Sequence, residues 1–284
     1  MAVVTVRRVA VIAHVAPVVV SLMLLITVGA VLPSQGLEAL VGATAAVTVM
    51  ALTPIGERAV VRVFLRSSTP TLFQRYTLAP VAQALLQHGV PATGLALLVT
   101  HRDSTQARCV GRQTVVVTTG LVEALVRRRM SPEEVAAVIA HEVGVSRAGL
   151  TRYDAALLVL LAPWRIWFAV VQALWAAISS LVPRALRMAS LWIMAGASLW
   201  LAFAEDPKYL VAAGGLLVVS LAYISHTAWS RARNEVGDAY LHDCALANQF
   251  ASRLLRSSTD AQSRDRAIRL RMGRPSSAGL PVAP

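Results

Sequence analysis

The chain has 284 residues, of which 56% are hydrophobic and only 15% are charged. A soluble domain of this length carries about 25% charged residues, so the composition favours an integral membrane protein. The net charge of +12 comes almost wholly from arginine, since Lys208 is the only lysine. In a membrane protein such an excess indicates cytoplasmic loops and contact with anionic lipid headgroups. Nucleic acid is not an expected partner, because no aromatic residue is interleaved with the C-terminal arginines.

Apolar runs without Asp, Glu, Lys or Arg approach or exceed the roughly 17–25 residues that a membrane-spanning helix needs. They are residues 9–32, 39–56, 166–183, 188–204 and 209–229. The basic residues before the first run and after the second predict a cytoplasmic N-terminus and a hairpin that returns to the cytoplasm. Because Pro163 and Arg165 argue against a simple span in the stretch 155–183, we expect four transmembrane helices. A five-span arrangement is the alternative.

This topology divides the chain into segments of different character in the inner membrane, with both termini cytoplasmic. The expected segments are an N-terminal transmembrane hairpin at 1–56, a cytoplasmic domain at 57–153, an interfacial segment with a second transmembrane hairpin at 154–229, a helix at 230–250 and a basic, partly disordered tail at 251–284. The apolar residues of the tail predict a basic amphipathic helix on the membrane surface. They are Leu254, Leu255, Ile268 and Leu270.

Residues 131–145 predict a helix with a strong N-terminal signal. Ser131 is a good N-cap, Pro132 fits the first turn, and Glu134 completes a Ser-x-x-Glu capping box. An apolar stripe at helical spacing follows the cap. The segment is therefore expected to be a regular helix that reaches His141.

The end of this helix reads His141-Glu142-Val143-Gly144-Val145. In the His-Glu-x-x-His motif of zinc proteases, the two histidines lie four residues apart on one helix face and bind one metal ion. The glutamate between them is the general base that acts on the metal-bound water. His141 and Glu142 are candidates for two of these roles, whereas Val145 stands at the second histidine and cannot bind a metal.

Three blocks of the sequence resemble the HtpX-like family of membrane zinc metalloproteases, which are bacterial relatives of the CAAX prenyl proteases. Residues 106–125 are similar to the family's strand and following helix, 132–142 to its active-site helix, and 230–239 to its third-ligand helix. The blocks and the spans together cover about residues 5–250. The resemblance implies a mainly α integral membrane protein with a small α+β zincin-like cytoplasmic domain.

The resemblance also implies Zn²⁺ as cofactor, with His141 as a ligand and Glu142 as the catalytic residue. The family's third ligand is the glutamate of Glu-x-x-Ala-Asp, but counting back four residues from Asp238 leads to Asn234. Glu235 is one residue further on, which turns a helical side chain by about 100°. The remaining candidates are Glu235 and His242 as ligands, with Asn234 and Asp238 as residues that support them.

If a metal binds, residues 113–118 are expected to form an edge strand onto which an extended peptide adds as a further strand. The substrate strand then consists of Val115, Val116, Val117 and Thr118. The resemblance implies that the substrate is a peptide or a membrane protein, hydrolysed in membrane protein quality control.

Three functions are left open. One is a zinc endopeptidase with an altered ligand set, and another is an inactive pseudoprotease that binds peptides or partner proteins. The missing ligands slightly favour the second. The third is a lipid-surface or assembly protein that acts through its basic tail. The protease-derived alternatives need the helix at 234–244 to lie against the His141 imidazole, on the inner side of the bilayer.

Overall fold

The computed structural model describes residues 34–91, 94–163, 228–257 and 260–273, and a few isolated positions at 18, 21, 22, 165, 166, 169, 197 and 200. Among these residues, Ala46–Leu158 and those from Arg231 onward form one compact unit. The other described residues belong to a second unit. The candidate site lies in the first unit.

Helices dominate the described residues, with one small sheet. The helices are α1 (Ser34–Met50), α2 (Pro54–Phe64), α3 (Leu72–Gln87), α4 (Thr119–Val126), α5 (Pro132–Arg147), α6 (Asp154–Leu160), α7 (228–243), α8 (Ala247–Ser257) and α9 (Ala261–Arg271). The strands are β1 (Ser67–Ser68), β2 (Ala96–Thr100), β3 (Ala107–Val110) and β4 (Thr114–Thr118).

The predicted span at 39–56 is not a single helix. Helix α1 ends at Met50, and α2 begins at Pro54 after a bend of 116°. Thr53 caps α2 by accepting a hydrogen bond from the Gly56 N–H, and proline suits the first turn that follows. The local capping signal therefore overrides the continuous apolar run.

No single helix in the described part of the chain is long and apolar enough to cross a membrane. The bent pair Glu38–Met50 and Pro54–Phe64 meets the length and composition criteria only when both helices are taken together. The other predicted spans, at 9–32, 166–183, 188–204 and 209–229, lie almost entirely outside the described residues.

Strand β4 lies inside the sheet, whose order is β1-β2-β4-β3. It pairs with β2 in parallel and with β3 in antiparallel orientation. All of its residues are buried, as expected for a continuous run of β-branched residues. The prediction of an edge strand at 113–118, with Val115, Val116, Val117 and Thr118 facing substrate, is therefore wrong. Its backbone hydrogen bonds are already used on both sides, so no peptide strand can add there.

The C-terminal helices belong to the protein core. One hydrophobic cluster joins side chains of α3, β4, α4 and α5 to those of α7, α8 and α9. The prediction that this segment lies on the membrane surface through its apolar residues is therefore corrected. Leu254 and Leu270 are buried in that cluster. Ile268 is 43% exposed. The segment that begins at 251 thus forms parts of two helices that pack against the domain.

A buried carboxylate fixes the turn between β3 and β4. Glu57 of α2 accepts hydrogen bonds from the Arg112 N–H at 2.9 Å, the Gln113 N–H at 3.3 Å and the Thr114 hydroxyl at 2.6 Å. Gly111 in this turn has a φ of 72°, and an added Cβ would lie 2.1 Å from the Glu57 carboxylate. The buried charge is thereby satisfied, and the turn is joined to α2.

Candidate active site

Helix α5 carries both candidate catalytic residues and begins where the sequence predicts. The Ser131 hydroxyl accepts the Glu134 N–H at 3.2 Å, and the Glu134 carboxylate accepts the Ser131 N–H at 2.9 Å. The predicted capping box is thus confirmed. The helix runs to Arg147, slightly beyond the predicted end.

Helices α5 and α7 approach each other closely at two glycines. An added Cβ on Gly144 of α5 would lie 2.4 Å from Tyr240 Cβ, and one on Gly237 of α7 would lie 2.3 Å from His141 Nε2. Glycine permits this approach because it has no side chain. The expectation that the helix at 234–244 lies against the imidazole is confirmed.

The His141 imidazole is buried, and both ring nitrogens face polar groups. Its Nε2 lies 2.8 Å from Arg266 Nη2. A guanidinium group can only donate, so Nε2 is the acceptor and the ring proton resides on Nδ1. That Nδ1 lies 3.4 Å from Glu142 Oε1. Phe250 stacks on the ring, with centroids 5.1 Å apart and an interplanar angle of 3°.

The same guanidinium group makes a bidentate contact with Asp238. Arg266 Nε lies 2.7 Å from Oδ2, and Nη2 lies 2.5 Å from Oδ1. The Arg266 Cζ atom also lies 5.2 Å from the centroid of the Phe250 ring, within the range of a cation–π contact. One guanidinium from α9 is therefore enclosed by the imidazole, a carboxylate and an aromatic face.

Glu142 is held by a different arginine. Arg233 Nη2 of α7 lies 2.5 Å from Glu142 Oε2, and the Cys109 N–H donates to the same oxygen at 3.1 Å. Burial by itself raises the pKa of Glu142, but the hydrogen bond with His141 and the charge of Arg233 outweigh it and lower the pKa to about 2. A carboxylate stabilised in this way is a poor proton acceptor at neutral pH.

Arg233 belongs to a wider network of charges. Its Nη1 lies 3.8 Å from Asp154 Oδ2, and the same oxygen lies 3.5 Å from Arg108 Nη2. Asp154 and Glu142 are both largely shielded from solvent, with side-chain exposures of 8% and 13%. Arg233 therefore compensates two buried carboxylates at once.

One backbone group of β3 and two backbone groups of the residues that flank it are bonded to side chains of the same domain. The Cys109 N–H donates to Glu142, and the Thr105 carbonyl accepts a hydrogen bond from Arg253. The Gly111 carbonyl accepts one from the Thr151 hydroxyl at 2.5 Å. A peptide strand added at this edge would have to displace these contacts.

The predicted metal ligands do not gather around His141. Glu235 is exposed, His242 and Asn234 are half-buried, and Val145 is fully buried. Within residues that the structure describes, no group of three His, Cys, Asp or Glu side chains could hold a metal ion. Asp238 reaches the centre, 3.5 Å from His141 Nε2, but its carboxylate is bonded to Arg266. A catalytic zinc ion takes three protein ligands, so the residues that the structure describes do not fit one.

Neither cysteine supplies a nucleophile instead. Burial, reinforced by the charge of Glu142, raises the pKa of the Cys109 thiol. Burial also raises the pKa of Cys244, whose side chain belongs to the hydrophobic cluster. Both thiols are therefore protonated at neutral pH and unreactive.

Sequence reasoning missed Arg233 and Arg266, which hold the two candidate catalytic residues. A weak signal exists for Arg266, because it lies one turn before the buried Leu270 and beside the buried Ala267 on α9. Arg233 lies next to Asn234 in the block that resembles the third-ligand helix, but nothing in its spacing singles it out.

Comparison with known proteins gives one family match. The sequence model of peptidase family M48 matches residues 79–258, which run from within α3 to the end of α8. Helix α5 and helix α7 lie inside the matched region, and α9 lies beyond it. No curated protein and no solved structure matches the chain.

Proposed function

The chain belongs to peptidase family M48, and on that premise we propose that it is a membrane-bound pseudopeptidase that binds a partner without hydrolysing peptide bonds. The observation that carries the proposal is that both candidate catalytic side chains are bonded to arginines. His141 contacts Arg266, and Glu142 contacts Arg233. In a working peptidase of this type, the histidine must bind the metal and the glutamate must accept a proton.

Zinc binding is the first activity that this arrangement opposes. His141 is the one histidine left of the pair, because the position four residues later is the buried Val145. Zinc affinity falls steeply when ligands are lost, and the Nε2 atom of His141 already accepts a hydrogen bond from Arg266.

Proton transfer is the second activity that this arrangement opposes. The lone pairs of the Glu142 carboxylate are directed at Arg233, at the Cys109 N–H and towards His141. A general base works best when its pKa is near the operating pH, whereas the pKa of Glu142 is lowered to about 2. Water at this position would therefore not be activated.

The bilayer is the proposed surface on which the protein acts. Large apolar side chains are exposed around α2 and at the start of α3, and they are Ile55, Val63, Leu72, Phe73 and Tyr76. Exposed arginines lie in the same segment, at positions 58, 62, 66 and 75. Apolar side chains among basic ones suit a membrane with anionic headgroups. Their location supports a domain on the cytoplasmic side of the inner membrane.

The proposed partner is a membrane protein that is bound rather than cut. Because the Cys109 N–H of β3 is already bonded to Glu142, and the Thr105 carbonyl before β3 is bonded to Arg253, strand addition in the cleft is not its proposed mode of binding. The occupied strand edge therefore favours a pseudopeptidase that binds a partner protein over one that binds an extended peptide. A role in membrane protein quality control would then be that of an adaptor.

The proposal is tested by a cleavage assay on the detergent-purified full chain. Fluorescently labelled unfolded casein and a membrane protein would be incubated with wild type and with E142Q, each with and without added Zn²⁺. We expect both proteins to release fragments only at the background rate of the buffer. Cleavage by wild type that requires Zn²⁺ and is absent in E142Q would overturn the proposal.

A further inference from the structure

We infer that the centre has become a recognition site for a guanidinium cation, which Arg266 fills from within the same chain. The inference deepens the proposed function, because it states which group stands where a zinc peptidase holds its metal against His141. It depends on that proposal only in requiring that no zinc occupies the imidazole.

The groups around Arg266 match the chemistry of a guanidinium. A guanidinium is planar, donates several hydrogen bonds in its plane and stacks on aromatic rings through its faces. Asp238 accepts two of these bonds, at 2.7 and 2.5 Å, and His141 Nε2 accepts a third at 2.8 Å. The Phe250 ring offers its face 5.2 Å from Arg266 Cζ. The site thus contains acceptors, a balancing negative charge and an aromatic surface.

The surroundings also keep this site narrow. Phe250 lies parallel to the imidazole, and the backbone of Gly237 passes so close that a single added Cβ would lie 2.3 Å from His141 Nε2. The Arg266 side chain is 16% exposed. The cation is therefore largely enclosed, which strengthens its interaction with the Asp238 carboxylate.

Helix α9 positions the Arg266 guanidinium and is itself held in place by a cap and by buried side chains. Its first turn is capped by Asp260, which accepts the Ser263 N–H at 3.3 Å, and its Ala267 and Leu270 side chains are buried in the hydrophobic cluster. Arg266 precedes these two residues on the same helix. Because α9 lies beyond the matched residues 79–258, the cation comes from a part of this chain that the family model does not cover.

The inference is tested by chemical rescue of R266A in the detergent-purified full chain. Removing the side chain leaves the Asp238 carboxylate and the imidazole without their shared donor, so we expect the melting temperature to fall by roughly 6–12 °C. Guanidinium chloride at about 20 mM, far below its denaturing range, is expected to restore about half of this loss. Wild type is not expected to gain, because its site is filled.

Matched controls separate recognition from general stabilisation. R264A removes an exposed arginine of the same helix and is expected to melt like wild type. Sodium chloride or urea at equal concentration should not rescue R266A. The double variant R266A/D238N should not respond to guanidinium either, because it lacks the carboxylate that accepts two of the bonds.

Each result decides for or against the inference. If R266A melts like R264A, or if sodium chloride rescues it as well as guanidinium does, there is no guanidinium site. If R266A folds only in buffer that contains guanidinium, the inference is supported, and failure to fold in any of these buffers contradicts it. Zinc bound to wild type through His141 would overturn the proposed function, whereas a failed rescue without zinc would overturn this inference alone.

Discussion

His141 and Glu142 are neighbours on α5, but the arginines that hold them differ in origin and in charge balance. Arg266 comes from α9, outside the region that matches the family, and contacts the His141 imidazole and the Asp238 carboxylate. Arg233 comes from α7, inside that region, and serves two carboxylates. Both candidate catalytic side chains on this turn of α5 are therefore bonded to arginines, His141 to Arg266 and Glu142 to Arg233.

Substitutions on the two sides should change the free energy of unfolding by different amounts. On the Glu142 side, Arg233 lies between two carboxylates, of which Asp154 also contacts Arg108, whereas on the His141 side Arg266 is shared between one carboxylate and the imidazole. Removing one partner of a buried ion pair costs more than removing a neutral hydrogen bond, since it leaves a charge without compensation. The Glu142 side should therefore respond more strongly to substitution and to pH.

The largest effect is expected for R233A. The variant removes the charged partner of Glu142 and one of the two arginines that contact Asp154, which should lower the free energy of unfolding by about 3–5 kcal/mol. R231A, which removes an exposed arginine two residues earlier, is the control and should stay within about 0.5 kcal/mol of wild type. Denaturant titration in detergent measures both. Equal stability of the two variants would remove the distinction between the two sides.

The next effect is the pH dependence that Glu142 gives to the free energy of unfolding, which E142Q should remove. The pKa of Glu142 falls from 4.5 to about 2 on folding, so the charged carboxylate stabilises the protein above about pH 4.5 and this contribution disappears as the pH approaches 2. The difference in unfolding free energy between wild type and E142Q should reach at most about 3 kcal/mol above pH 5 and shrink on acidification. A difference that does not vary with pH contradicts the assigned ion pair.

A smaller effect is expected on the His141 side for G237A. The added Cβ would lie 2.3 Å from the imidazole Nε2, so the ring must move away from Arg266. We expect a loss of about 1–3 kcal/mol in the free energy of unfolding from overpacking. The control is G42A, another helical glycine, whose Cβ would meet nothing within 4 Å. A G237A variant as stable as G42A would show that the ring is not confined.

The sequence predicts the local parts of this site better than its long-range partners. The capping box from Ser131 to Glu134 is a short-range pattern, and the structure contains it. The approach of α7 to His141 also follows from the family-like blocks. Arg233 and Arg266, however, lie 91 and 125 residues from the side chains they contact, among 27 basic residues with no distinguishing spacing.

The position of β4 was predictable from its composition. A run of Val115, Val116 and Val117 is typical of a strand that is covered on both faces, whereas an exposed edge commonly carries charged residues. Strand β3, with Arg108 exposed, is the better edge by that criterion. The family-like motif led to an assignment that the physical pattern of the strand opposes.

The zinc content of the purified protein tests the central claim most directly. Elemental analysis of the detergent-purified full chain should find less than about 0.1 zinc ion per chain, because one histidine whose Nε2 is bonded to Arg266 cannot hold the ion. H141A should give the same value. About one zinc ion per chain in wild type, lost in H141A, would contradict the account.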